Sequence, residues 1–256
     1  MYNFIYEKVN TIQEVEKLLN ENEETKILAG GQTLIPTMKQ RLASPSTLID
    51  ISGIDDLNFI KDNGNSVTIG STVTHNEVSS SDIIINKIPS LASLAEGIGD
   101  PHVRNMGTIG GSIANNDPTA DYPTACLSLN AKIKTNNREI NAEDFFIGLF
   151  ETALEENEIV VSVEFNIPKK SSYMKFPNPA SRYAMAGVYV SVFDDSVNVA
   201  VTGASENGVF KWTEMEEALS SNLSLENAKN IKPVSYTQLR AHETPEHRGL
   251  RGGGLK

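Results

Sequence analysis

Two stretches of this chain combine residue types that can hold a diphosphate. Thr108 to Asp121 packs the adjacent glycines Gly110 and Gly111, small hydroxyl and amide side chains and two carboxylates into fourteen residues. Adjacent glycines let backbone N–H groups approach a ligand with no Cβ in the way. A nearby carboxylate accepts hydrogen bonds from sugar or ribityl hydroxyls. The same residues also suit a tight turn followed by an N-capped helix. The second stretch is Ala29 to Pro36, where Gly30-Gly31 leaves a predicted strand, the hydroxyl of Thr33 follows and a helix begins. Two such loops, almost eighty residues apart, can clamp a diphosphate with one phosphate on each. Neither is a G-x-G-x-x-G fingerprint or a P-loop, since no Gly-Lys-Ser/Thr follows.

The elements that must position these loops are legible in the patterning. Thr11 and Glu14 have capping-box spacing, and Ile12, Val15, Leu18 and Leu19 form a helical stripe. Lys26 to Ala29 reads as a strand, Leu34 to Leu42 as a helix and Thr47 to Ile51 as a strand. Leu57 to Lys61 and Ser66 to Gly70 flank Asn63-Gly64, a hairpin signal. Thr74 and Glu77 repeat the capping box, and Pro89 to Ile98 predicts a further helix. Beyond the second loop, Tyr122 to Leu129 predicts a helix, Ala131 to Thr135 pairs with Arg138 to Ile140, and Glu143 to Phe150 is amphipathic. Ile159 to Ile167 is a strong strand, and the polar break from Pro168 to Ser172 marks a domain boundary. Val188 to Phe193 and Val197 to Val201 predict a hairpin, and Thr213 to Leu219 a helix.

Composition narrows the function. With 256 residues, 39% hydrophobic and 21% charged, the chain has material for one large domain or two modest ones. A net charge of -11 argues against nucleic acid as a partner, yet leaves a phosphate-bearing cofactor open, because backbone amides bind phosphate on an acidic protein. The single cysteine, Cys126, rules out an internal disulfide or an iron–sulfur cluster ligated within this chain, and reads as a small buried apolar residue. No apolar run approaches the ~20 residues of a membrane span, and the first residues carry no signal-peptide pattern, so the expected location is the cytoplasm. From Val234 the apolar periodicity stops; four Lys/Arg against two Asp/Glu give residues 234–256 a charge of +2. That tail reads as disordered or non-native, and His242 and His247 lack companions for a metal site.

Ala29 to Leu42 (AGGQTLIPTMKQRL) and Thr108 to Asp121 (TIGGSIANNDPTAD) resemble the paired FAD-binding motifs of molybdenum hydroxylase flavoprotein subunits. These are the medium subunits of aerobic carbon monoxide dehydrogenase and the FAD subunits of xanthine dehydrogenase-type enzymes. The likeness covers residues 1 to 220 in order and spacing. This chain differs in having Gln32 where the family usually has His, Thr33 in place of Ser, and Ser112 where Asn is common.

The resemblance implies an α+β fold: a PCMH/vanillyl-alcohol-oxidase-type FAD-binding domain of two subdomains over residues 1–170. A smaller, truncated α+β domain follows at 173–233, a three-stranded sheet with helices of the carbon monoxide dehydrogenase flavoprotein C-terminal type. By motif match Ala29, Gly30, Gly31, Gln32, Thr33 and Leu34, with Thr108, Ile109, Gly110, Gly111 and Ser112, would hold the FAD diphosphate, Asn115 lying nearby. Asp121 would bind ribityl hydroxyls. Arg182 to Ala186 matches a segment whose aromatic residue lies by the flavin ring, which makes Tyr183 a flavin neighbour or an ordinary core residue. The implied partners are a molybdopterin-binding large subunit and a 2Fe-2S small subunit in a heterotrimeric complex, with electrons passing through FAD to an acceptor. No protein general base is assigned. Two other readings are a stand-alone flavin oxidoreductase, for which His75, His102 and Arg104 are the available catalytic side chains, and a scaffold whose glycines are structural turns. His102 is expected to pack or cap beside Pro101.

Overall fold

The computed structural model describes residues 1–22, 24–205 and 207–231; the reading of the tail, with His242 and His247, lies outside them. Strand β1 (Ile5–Lys8), helix α1 (Ile12–Glu21), β2 (Thr25–Leu28), α2 (Leu34–Lys39) and β3 (Thr47–Asp50) build a parallel sheet of order β1-β3-β2. The central strand is buried at every position and the edge strand β1 is exposed along its length. Val15 and Leu19, one helical turn apart, are the buried stripe of α1. Thr11 caps that helix, but the Glu14 carboxylate accepts from the amide of Asn10 (2.8 Å) rather than of Thr11. Helix α2 stops at Lys39, short of the expected Leu42, because Arg41 turns to a φ of 62°.

The hairpin β4 (Ile60–Asp62) and β5 (Ser66–Gly70) follows. A run of short helices comes next: α3 (His75–Ser80), α4 (Asp82–Lys87), α5 (Pro89–Glu96), α6 (Pro101–Met106), α7 (Ile109–Asn115) and α8 (Tyr122–Ser128). Then come β6 (Lys132–Thr135), β7 (Glu139–Asn141), α9 (Ala142–Phe145), β8 (Phe146–Gly148), β9 (Glu151–Thr152) and β10 (Val160–Asn166). The sheet order is β4-β5-β10-β6-β7, so the last strand enters the middle, antiparallel to both neighbours. The Thr74–Glu77 capping box at α3 is complete. The amphipathic stretch from Glu143 is not one helix. It breaks after Phe145 into the β8–β9 hairpin, whose carbonyls at Gly148 and Glu151 each accept from the Asn116 side chain at 2.8 Å.

The chain ends in β11 (Lys170–Pro177), β12 (Ala184–Val192), β13 (Val197–Thr202), β14 (Phe210–Lys211), α10 (Thr213–Ser221) and α11 (Leu225–Asn230). These strands form an antiparallel sheet in sequence order, so the expected three-stranded sheet carries a fourth, two-residue strand. Residues 170–172 of the polar break belong to β11. One face of this sheet joins the main core through Tyr189, whose hydroxyl shares a 2.6 Å hydrogen bond with Ser90 of α5. The other face packs Val197 and Val199 against Met215 and Leu219 of α10. The main core places Val67, Ile69, Ile133, Val163 and Phe165 of the five-stranded sheet against Leu91, Leu94, Ile109, Ile113 and Tyr122 of the helices. Each such buried side chain contributes about 1.5–3 kcal/mol. Cys126 lies in this core, fully buried, and burial raises its thiol pKa, as an inert apolar residue requires.

Candidate functional site

Both glycine stretches open onto one cleft of about 830 Å³, within the roughly 300–1,000 Å³ that ligand sites occupy. Ala29, Gly30, Gly31, Gln32, Thr33 and Leu34 line it from the β2–α2 turn. Thr108, Gly110, Gly111, Ser112 and Asn115 line it from α7, and Asp121 and Tyr183 also border it. Ile109 does not: its side chain is fully buried in the main core and its amide donates to the Val73 carbonyl at 3.0 Å. That expected site residue is a packing residue, because the helix turns it away from its glycine neighbours.

The first stretch has the anticipated form. The chain leaves β2, Gly31 takes a φ of 69° that suits a residue without Cβ, and its carbonyl accepts from Ile35 at the start of α2 (3.1 Å). Among the described residues the amides of Gly31, Gln32, Thr33 and Leu34 have no acceptor.

The second stretch differs from a loop of free amides. Thr108 caps α7, so both glycines lie in the first helical turn. Gly110 donates to the Ser71 carbonyl (2.9 Å), Gly111 to Thr108 Oγ1 (3.1 Å) and Ser112 to the Thr108 carbonyl (3.0 Å). The turn-plus-capped-helix reading therefore describes this local backbone. The glycines also serve different ends. A Cβ on Gly30 would stand 1.9 Å from the Met106 carbonyl oxygen, and one on Gly110 would stand 2.6 Å from the Ser71 carbonyl oxygen. Those two are glycines because backbones touch, and the first contact joins the two motifs. A Cβ on Gly111 would meet only Thr108 Oγ1, at 2.9 Å, so this residue keeps the helix open towards the cleft.

Asp121 is buried at 5% exposure, and its carboxylate is already held. Tyr173 donates to it, and Lys175, two residues on along β11, approaches at 3.1 Å. The Lys175 ammonium also donates to the Gly97 carbonyl at 2.9 Å. Burial raises the Asp121 carboxyl above its ordinary value, against the opposing pull of Lys175 and Tyr173. Tyr183 is 46% exposed and sits in the cleft wall, not in a core. Burial of its hydroxyl, then the charges of Asp117 and Asp121, raise its pKa.

Three cleft residues carry buried polar atoms without a partner among the described residues: Thr25 Oγ1, Ser71 Oγ and His75 Nδ1. Burial, with the nearby Arg104 charge, holds the His75 imidazole at about 4 instead of 6.5, so it is neutral at ordinary pH. His102 is exposed on α6 and is not on the cleft; Asp100, not His102, caps that helix, donating nothing and accepting from Val103 at 2.9 Å. Arg104 donates to the carbonyls of Ile98 (3.2 Å) and Gly99 (3.1 Å).

Ser71, Thr25, Tyr173, Lys175 and the wall made by Leu154 to Val160 also border or support the cleft and carry no motif that marks them in the sequence. The alternation of Tyr173 and Lys175 on one strand face was the available signal for that pair. Free amides at α2, unpartnered buried hydroxyls and a half-exposed tyrosine together fit a ligand with anionic, polyhydroxylated and aromatic parts. Those are the parts of FAD. Among the described residues no group of three His, Cys, Asp or Glu side chains is placed to hold a metal, and no helix is long and apolar enough to cross a membrane.

Comparison with known proteins gives the same answer. Residues 2–170 match the model of the FAD binding domain in molybdopterin dehydrogenase. The chain is 38% identical over 258 residues to the glyceraldehyde dehydrogenase medium chain of Sulfolobus acidocaldarius, covering 96% of this chain and 91% of that one. It is 32% identical to the nicotine 6-hydroxylase medium subunit of Paenarthrobacter nicotinovorans, covering 95% and 91%. The carbon monoxide dehydrogenase structure from Hydrogenophaga pseudoflava superposes with a TM-score of 0.82 at 31% identity, over 93% of this chain and 90% of its own. A motif pair meeting at one cleft and a family match over most of the chain lead to one conclusion: this chain belongs to the FAD-binding flavoprotein family of the molybdopterin dehydrogenases.

Proposed function

We propose that the chain is the flavin-carrying oxidoreductase subunit of a molybdenum hydroxylase, relaying electrons from iron–sulfur centres through FAD to an acceptor. The observation that carries this is the convergence of Gly30 with Met106-Gly107, which brings two motifs almost eighty residues apart onto one cleft wall. Residues 1–170 would form the FAD-binding domain and 173–233 the smaller C-terminal domain. FAD supplies the redox chemistry, taking up and releasing electrons. The protein's part is to bind and orient it. The amides of Gly31 to Leu34 would offer donors to one phosphate, and Gly111 would leave room beside the other. Asp121, held by Tyr173 and Lys175, would accept from ribityl hydroxyls, and Tyr183 would border the ring. The partners would be a molybdopterin-binding large subunit and a 2Fe-2S small subunit, the medium chain completing a heterotrimer. The single cysteine, Cys126, agrees with clusters residing on another chain.

The test is direct. Purified protein should be yellow or turn yellow with added FAD, with about one flavin per chain and a raised melting temperature. A colourless protein with no thermal shift in excess FAD rejects the proposal. Co-expression with candidate molybdopterin and iron–sulfur chains should yield a complex in which substrate reduces the flavin; a flavin reduced by substrate in the isolated chain would indicate a stand-alone oxidoreductase instead.

A further inference from the structure

We infer that Ser71 and His75 are two further ligands of the diphosphate bridge of FAD, supplying side-chain donors beside a second motif whose Ile109 to Ser112 amides are already taken by Val73, Ser71 and Thr108. This rests on FAD occupying the cleft, as proposed above. Ser71 follows the end of β5 and His75 opens α3, so two different elements deliver them to one place. Their exposures are 2% and 5%, both line the cleft, and Ser71 Oγ and His75 Nδ1 have no hydrogen-bond partner among the described residues. Buried polar atoms in folded proteins are almost always paired, so two unpaired ones on a ligand cleft point to partners on the ligand.

Their position is at the junction of the motifs. Ser71 packs against Gly110, its Cβ 2.4 Å from where a Gly110 Cβ would stand. His75 Nε2 lies 2.7 Å from the corresponding point on Gly107, and the Gly107 Cα lies 2.8 Å from that on Gly30. The amides of Ile109, Gly110, Gly111 and Ser112 all donate within the protein, which leaves the Thr108 amide as the free backbone donor of this motif's first five residues among the described residues. A serine hydroxyl has one proton to give, and a neutral imidazole has one N–H. Diphosphate oxygens only accept. The chemistries match with the imidazole neutral, so no protonated histidine is needed beside the diphosphate's own charge.

Thr72 provides an internal control. It is the next residue, it is 7% exposed, and its Oγ1 is likewise unpartnered, yet it does not line the cleft. The experiment titrates the complete chain, freed of flavin, with FAD, ADP and riboflavin by fluorescence and calorimetry. Ser71→Ala and His75→Leu are each expected to weaken FAD and ADP by about ten-fold or more, as loss of a hydrogen bond to a charged group does, and to leave riboflavin affinity unchanged. Thr72→Val should bind all three as the wild type does. Wild-type affinity for FAD in Ser71→Ala overturns the inference, and so does a loss shared equally by riboflavin. If His75→Leu does not fold, Ser71→Ala against Thr72→Val decides alone. A wild-type chain that binds no FAD would remove the proposed function and this inference together, whereas unimpaired variants beside a flavin-binding wild type would remove only this inference.

Discussion

The carbonyl oxygen of Met106 lies 1.9 Å from the point where a Cβ on Gly30 would stand. Two segments separated by most of the N-terminal half are thus in backbone contact, and the contact closes the cleft between β2–α2 and α6–α7. Gly30→Ala cannot be accommodated by a side-chain rotation, because the obstacle is backbone. The expected result is a loss of about 1–3 kcal/mol, the usual cost of overpacking, with a melting temperature lower by several degrees and weakened FAD binding. Thermal melts with and without FAD check it; a variant with wild-type stability and affinity would mean that the two motifs do not meet this way.

Gly111 makes the opposite prediction. A Cβ there would stand 2.9 Å from the Thr108 hydroxyl that caps α7, so Gly111→Ala trades strain at that cap against the roughly 1 kcal/mol of helix propensity that Ala gains over Gly, and should fold with a melting temperature within a few degrees of wild type. Gly111→Trp would project into the cleft and is expected to abolish FAD binding while the far-ultraviolet dichroism stays native. Stoichiometric flavin in Gly111→Trp would return this residue to a purely structural role.

The contrast between these glycines explains what was legible in the sequence. The motifs, the element order around Gly30-Gly31 and the capping boxes at Thr11 and Thr74 are local, and local chemistry writes itself into short spacings. That Gly110 faces Ser71 and Gly30 faces Met106 is a tertiary fact with no signature in spacing. Ile109 shows the same limit from the other side: adjacent to functional glycines in sequence, it points into the core because a helix turns about 100° per residue. Lys175 and Tyr173 carry no local signature as partners of Asp121, because a strand edge about fifty residues away supplies them. The fourth strand, Phe210–Lys211, is too short to register as a pattern.

His75 predicts a pH dependence in mild acid. Its imidazole is held at about 4 by burial, while an unfolded chain protonates near 6.5. Between those values the unfolded state binds more protons, so stability is fully present above pH 6.5 and is lost as pH falls towards 4, by about 3 kcal/mol at the limit. Melting temperatures of the FAD-free protein should decline across this window. His75→Leu should flatten the decline, and an unchanged slope in that variant would place the sensitivity elsewhere.

The ion pair of Asp121 with Lys175 is 5% and 9% exposed. Lys175→Met removes the compensating charge and leaves a buried carboxylate, which typically costs about 3–5 kcal/mol. Burial already raises the folded pKa of Asp121, and loss of Lys175 raises it further. The folded variant then holds a proton that the unfolded chain releases, so its stability should fall as pH rises from about 3.8, whereas Asp121→Asn/Lys175→Met should lose that dependence. Flavin affinity of the double variant reports separately on the Asp121 carboxylate. Equal slopes in the single and double variants would contradict the assignment.

Glu158 sets a second, more acidic window. Its carboxylate accepts from Arg138 Nε (2.9 Å) and Nη2 (3.0 Å), from Thr135 Oγ1 (2.7 Å) and from the Glu155 amide (3.0 Å). The bidentate guanidinium is the largest cause of a pKa lowered from 4.5 to about 2. Here the unfolded chain again binds more protons within the window, so the stabilisation is complete above pH 4.5 and disappears as pH falls towards 2. These bonds tie the β6–β7 hairpin to the Glu155–Val160 wall of the cleft, so the two acid windows have different readouts. Loss of the His75 contribution touches the junction of the glycine motifs, whereas protonation of Glu158 loosens the far wall. Arg138→Met should therefore destabilise at neutral pH, by orphaning a buried carboxylate, and should remove the decline between pH 4.5 and 2 without altering the one between 6.5 and 4. Melting curves of Arg138→Met and His75→Leu across both windows make the comparison, and a single mutation that flattened both would refute their independence.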